Sequence, residues 1–155
     1  MAPPDRTTLL ARLERMPGEL RAAAARLGED HALDAPPGGG FSLVEQAWHL
    51  ADLEREGFGA RITRLLEEEA PFLPDFDGAR IARERDYRSR SLEEGLSGFA
   101  AARAANLSRL RSVPEAAWQR TGTQEGVGTV TLGDVPRLML EHDDSHRREI
   151  AALLA

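Results

Sequence analysis

Four stretches of this chain repeat apolar residues at helical spacing, and each opens on a helix start signal. Such spacing gathers the apolar side chains on one face, and four such faces in one chain must bury each other. The first stretch runs from Arg6 to Leu27 with Leu9, Leu10, Leu13, Met16, Leu20 and Leu27 near helical period; Pro17 inside it predicts a kink or break near Met16. The second opens at Ser42-Leu-Val-Glu45, a capping box, and continues to about Glu69, before Pro71. A second capping box, Ser91-Leu-Glu-Glu94, opens the third, which runs to about Ser112. The fourth opens at Thr131-Leu-Gly-Asp134, with aspartate in the last place, and runs to the C-terminus. Pro136 falls within its first turns, where backbone N–H groups lack partners anyway.

The connections are rich in breakers. Pro36-Pro37-Gly38-Gly39-Gly40 separates the first two helices, and a helical turn is expected at Pro114–Trp118. No stretch has the alternation of a strand, and Thr129 to Leu132 is too short to count. Gly122, Gly126 and Gly128 do not fit a phosphate-loop spacing and read as loop glycines. The expectation is an all-α, single-domain four-helix bundle over residues 1–155, with a short extra helical segment between helices two and three.

Composition removes several function classes. The chain has no cysteine, so disulfides, thiolate metal sites and a cysteine nucleophile are excluded, and any metal must sit on histidine and carboxylate. All 20 basic residues are arginine, which excludes a Schiff-base lysine. A net charge of −6 argues against a nucleic-acid partner. The arginines between Arg80 and Arg90 are interleaved with Glu84 and Asp86 and read as a solvated helix. The start Met1–Asp5 has no basic cluster followed by an apolar run, and no stretch approaches the roughly 18 to 20 apolar residues of a membrane span. A cytoplasmic protein with no membrane association is expected.

The fourth helix carries His142-Asp-Asp-Ser-His146. Val135, Met139, His142, His146, Ile150 and Leu153 share one face, so both imidazoles continue the apolar stripe and should point inward. Two buried imidazoles need partners for their polar nitrogens, and one divalent ion would serve both. His49, in Trp48-His49-Leu50, lies off the centre of its helix's apolar stripe but completes a three-histidine set. His31 follows Glu29-Asp30 beside the proline–glycine loop and should be exposed and without a role. Asp143 in place of glutamate rules out the metalloprotease H-E-x-x-H motif.

Several blocks then resemble one family. These are Phe41 to Arg55, Arg61-Ile62, Pro71 to Asp77, Trp118 to Thr123, Gly128 to Leu132, and Leu140-Glu-His142-Asp143-Asp-Ser-His146. Together they resemble the DinB-like superfamily of metal-binding helical bundles, in its branch with a C-terminal H-D-x-x-H helix. The resemblance implies an up-down-down-up, DinB/YfiT-like bundle prone to homodimerise, with zinc or nickel held by His49, His142 and His146. It also implies a small-molecule substrate and, in some relatives, thiol-dependent transfer or isomerisation using a low-molecular-weight thiol. Two positions depart from the pattern: Glu149 stands where members often have glutamine, and Gln124 where members often have histidine.

Three neutral imidazoles leave a divalent ion its full charge and an open position, as in catalytic sites. The expected function is a metal-dependent S-transferase or hydrolase, with Glu54 as the candidate residue either supporting the ligands or serving as acid–base group, against the plainer reading of a solvated helix carboxylate paired with an arginine. The competing expectation is a non-catalytic dimeric metal-binding or stress-response protein, whose ion would be closed off by a fourth protein group.

Overall fold

The computed structural model describes residues 5–155; the first four residues, part of the start read above for a leader, lie outside the described residues. The helices are α1 (Arg6–Leu27), α2 (Leu43–Asp52), α3 (Ala60–Glu67), α4 (Gly78–Glu84), α5 (Leu92–Ser112) and α6 (Val135–Leu154). Leu53–Gly59, between α2 and α3, is π-helical, so residues 43–67 form one continuous rod. With that rod counted once, α1, α2–α3, α5 and α6 make the four-helix bundle, and α4 is the extra segment. α1 packs on α5 and α6, and α2 packs on α5 and α6. Among the described residues no helix is long and apolar enough to cross a membrane.

The caps act where the sequence places them. Ser42 and Glu45 form a full capping box, the Ser91 side chain accepts from the Glu94 N–H, and Thr131 and Asp134 form a second full box around the 3-10 turn that leads into α6. Pro17 does not break α1. A proline cannot donate to the carbonyl four residues back, and here the Leu13 carbonyl accepts instead from Arg103 Nη1, at 2.8 Å.

A small sheet corrects the expectation that no strand forms. β1 (Phe72–Leu73) pairs in parallel with β2 (Thr121–Gln124), which pairs antiparallel with β3 (Gly128–Thr131). Strands of two to four residues are too short to show a period; pairing between distant segments makes them. Gly122 and Gly128 are therefore strand glycines rather than loop glycines. A Cβ on Gly122 would stand 2.8 Å from the Pro71 carbonyl oxygen, so close approach of the preceding chain requires the glycine.

The apolar core comes in two parts with a polar layer between them. One part holds Leu13, Leu53, Leu107 and Met139; the other holds Met16, Leu50, Phe99 and Ile150. Polar groups gather where the two sets meet: Asp52, Arg103, and His142 to His146 lie between them in the sequence, and Glu54 and the Leu13 carbonyl facing Pro17 adjoin them from the first set. Arg103 is 2% exposed and joins all four rods. Its guanidinium forks onto Glu54 at 2.9 and 2.9 Å, onto Asp143 at 2.8 and 2.9 Å, and reaches the Leu13 carbonyl. The two carboxylates, flanked by hydrogen bonds, hold its proton more firmly than an ordinary guanidinium's, against the opposing effect of burial.

Candidate metal centre

His49 comes from α2, and His142 and His146 come from α6, as the inward stripe predicts. His49 and His146 are buried and His142 half-buried. Ring centroids lie 4.8 Å apart for His49 and His146, 5.7 Å for His49 and His142, and 4.4 Å for His142 and His146. One ring nitrogen from each lies within 4.8 Å of the others. Imidazoles bind a divalent ion at about 2.1 Å, so two ligands of one ion stand at most about 4.2 Å apart, slightly closer than the 4.8 Å that bounds the spacing here. Among the described residues the cluster has three members and no fourth.

The orphaned polar atoms make the chemical case that these residues fit a metal. The Nδ1 atoms of His49 and His142 are buried without a hydrogen-bond partner, an arrangement that costs free energy unless something else satisfies them. Burial first, then the neighbouring His146, pulls His49 down to about 3; burial, then His146 and His49, does the same to His142. Burial also lowers His146, against the opposing charges of Glu149 and Asp143. All three rings are therefore neutral at pH 7, the form that ligates.

Supporting residues orient the rings. His146 Nδ1 lies 2.7 Å from Gln46 Oε1, the side-chain oxygen of a fully buried residue, and 3.2 Å from Glu149 Oε2. A protonated Nδ1 donates to that amide oxygen and leaves Nε2 free to ligate. Gln46 also donates to Glu149 at 3.4 Å, so Glu149 takes part in the same hydrogen-bonded group. Phe41, Phe58 and Phe76 wall the rings, with centroids 5.2 Å from His49, 5.9 Å from His142 and 6.1 Å from His49 respectively. At the start of α4, a Cβ on Gly78 would lie 2.5 Å from His49 Cε1, so the glycine lets this helix seat directly against the imidazole.

Glu54 lies on the π stretch, is 1% exposed, and has both oxygens engaged. Arg103 takes both of them, and Asn106 Nδ2 donates to one at 3.0 Å and to the Glu54 carbonyl at 2.9 Å. Asp143 is likewise buried and bound to Arg103. Asp52, three residues after His49, accepts from Tyr87, Arg85 and Arg55; burial pushes its carboxyl up, but these hydrogen bonds hold it below the usual range. Gln124 lies in β2. His31 is exposed and pairs with Asp34 at 2.8 Å, away from the centre.

Sequence reasoning missed Arg103, Gln46 and Gly78. Arg103 had one visible sign: an arginine set in Ala101-Ala102-Arg103-Ala104-Ala105, whose small neighbours let it bury. Gln46 lies one turn before His49, and Gly78 had no sign beyond following Asp77.

With this geometry in view, three likenesses to known proteins bear on it. The sequence pattern of the DinB superfamily matches residues 12–150. A protein of Geobacillus thermodenitrificans (strain NG80-2), named "Putative metal-dependent hydrolase", is 28% identical over 145 residues, covering 93% of this chain and 81% of that protein. The solved structure of YfiT from Bacillus subtilis, described as "a probable metal-dependent hydrolase with an unusual four-helix bundle topology", superposes with a TM-score of 0.84 at 21% identity. The match covers 98% of this chain and 91% of that one.

Proposed function

The chain belongs to the DinB superfamily, and from that premise we propose that it is a metal-dependent hydrolase of a small molecule, with His49, His142 and His146 as its metal ligands. The observation that carries this reading is the convergence of three neutral imidazoles from two helices, two of them with a buried nitrogen that has no hydrogen-bond partner among the described residues. The hydrolase names borne by the Geobacillus and Bacillus relatives support it. Three protein donors without a fourth suit a catalytic ion better than a structural one, which is the point separating this reading from a non-catalytic metal protein.

When bound, a divalent ion such as zinc or nickel supplies a Lewis acid that polarises a substrate carbonyl and makes water nucleophilic near neutral pH. The protein's own groups prepare the place. Gln46 fixes the tautomer of His146. Phe41, Phe58 and Phe76 keep bulk water from the rings and lower the local dielectric, which strengthens every charge interaction inside. Arg103 holds Glu54 and Asp143 so that the α2–α3 rod and α6 keep their spacing. We assign Glu54 this positioning role in preference to an acid–base one, because neither oxygen is free to take a proton from substrate.

Elemental analysis of protein purified without an affinity tag tests the premise. The expected result is about one zinc or nickel per chain, with His146→Ala losing at least tenfold in affinity. Hydrolysis of a panel of ester and amide substrates, abolished by chelator and restored by metal, is expected to follow. Repeating the panel with a low-molecular-weight thiol separates hydrolysis from thiol transfer. His146→Ala with wild-type metal content would remove the basis of the reading.

A further inference from the structure

A second arginine is buried near the histidines and, unlike Arg103, is left largely unsatisfied. Arg61, in the first turn of α3, is 7% exposed, and its Nε is buried without an acceptor. Its hydrogen bond from Nη2 to the Pro74 carbonyl is long, at 3.4 Å, and Phe58 lies under its guanidinium at 5.5 Å from the ring centroid. Phe58 packs edge-on against His142, so guanidinium and imidazole share one aromatic neighbour. Arg61's charge is among those that disfavour a proton on His142. Beside Arg61 lies a cavity of about 110 Å³. Phe76 forms part of its wall and is the same ring that faces His49.

This fold can satisfy a buried guanidinium completely, with five hydrogen bonds to two carboxylates and a carbonyl. At Arg61 the nearby Asp75 offsets the charge only at a distance, beyond ion-pair range, and burial lowers the guanidinium's proton affinity. A desolvated, unpaired cation costs stability, and a bound anion would relieve that cost. The surrounding carboxylates do not supply the anion: Glu56, which lines the cavity with Asp75, is held by Arg85, Glu54 and Asp143 are held by Arg103, and Asp52 by Tyr87, Arg85 and Arg55. Glu149 lies against His146.

We propose that Arg61 is a substrate-binding residue, and that the small molecule processed at the histidine centre carries an anionic group, a carboxylate or a phosphoryl, which the guanidinium of Arg61 grips. A planar fork with free N–H groups matches two oxygens of either anion, which a lysine could not do. The inference rests on the hydrolase reading for the identity of the reacting centre, but not for the anion site itself.

The test uses the whole chain, metal-free and metal-loaded, titrated calorimetrically with acetate and with inorganic phosphate. Wild type is expected to bind one of them saturably. Arg61→Met keeps the aliphatic stem and is expected to melt at or above the wild-type temperature, because it removes an unpaired buried charge, yet to bind the anion at least about tenfold more weakly. Arg61→Lys, which keeps charge without the fork, is expected to lose about tenfold and serves as the reporter if Arg61→Met does not fold. Tighter acetate assigns a carboxylate substrate, and tighter phosphate a phosphoryl one. Absence of saturable binding to wild type, or affinity of the folded variants within twofold of it, overturns the proposal. The two readings separate: metal binding without anion binding defeats this inference alone, whereas Arg61-dependent anion binding to a protein that takes no metal defeats the hydrolase reading alone.

Discussion

Replacing Arg103 with methionine is the most demanding test of how this molecule is held together. The substitution removes five hydrogen bonds and leaves Glu54 and Asp143, each 1% exposed, as carboxylates facing one another without a counter-charge. Breaking a buried ion pair from one side costs about 3–5 kcal/mol. The Leu13 carbonyl, which Pro17 cannot serve, loses its donor at the same time, for about 1–3 kcal/mol more. The expected loss is about 4–8 kcal/mol, set against a total stability of about 5–15 kcal/mol for a domain. With a urea slope of about 2 kcal/mol per molar, the midpoint should fall by about 2 M or more, to the edge of folding at room temperature. Urea denaturation followed by far-ultraviolet circular dichroism measures this. Two companion variants locate the cause. Arg103→Met with Glu54→Met and Asp143→Leu removes all three charges of this buried network and should recover at least half of the loss, because no charge of the network is then stranded. Pro17→Ala in the Arg103→Met background returns an N–H to the Leu13 carbonyl and should recover about 1 kcal/mol. A single variant that loses less than about 1 kcal/mol, or a triple variant no more stable than it, would refute the argument that Arg103 ties the four rods together.

Two further outcomes follow from the same geometry. Gly78→Ala drives a Cβ to 2.5 Å from the His49 ring and should weaken metal binding by about tenfold or more in a chelator competition; Gly18→Ala, with open space around it in α1, should leave the metal alone and add about 0.5–1 kcal/mol of stability, and equal metal affinity in both variants would argue against contact of α4 with the ligand. The metal-free protein should lose stability on acidification from about pH 6.5 towards pH 3, because His49 and His142 resist protonation in the fold, down to about 3, whereas the unfolded chain takes up protons from about 6.5 downwards. Each contributes a slope of up to about 1.4 kcal/mol per pH unit in that window; a flat denaturation midpoint between pH 6.5 and 4 would contradict their burial as neutral rings.

The local signals in the sequence reached the structure closely. The bounds of α1, the caps at Ser42, Ser91 and Thr131, and the inward stripe through His142 and His146 were all legible, because capping and amphipathicity depend on residues within four positions of each other. The three histidines converge in the fold, with His142 and His146 on the face their spacing gave and His49 brought to them by packing that its own helix did not reveal.

What spacing could not carry is whatever links distant positions. β1 to β3 exist only because they pair, so no strand of two to four residues announced them. The π stretch that turns Glu54 onto Arg103 is held by Asn106 and Arg109, whose side chains reach the Glu54 and Gly59 carbonyls. Glu54 read in the sequence as an acid–base or supporting group or a solvated carboxylate, and is buried in the fold on a partner that lies 49 residues away. Arg103 and Arg61 are the same residue type on comparable helices, yet one is fully hydrogen-bonded and the other nearly unpaired. Sequence alone decided which faces turn inward; tertiary packing decided which buried charges find partners there, since desolvation and hydrogen bonding act through distance in space rather than along the chain.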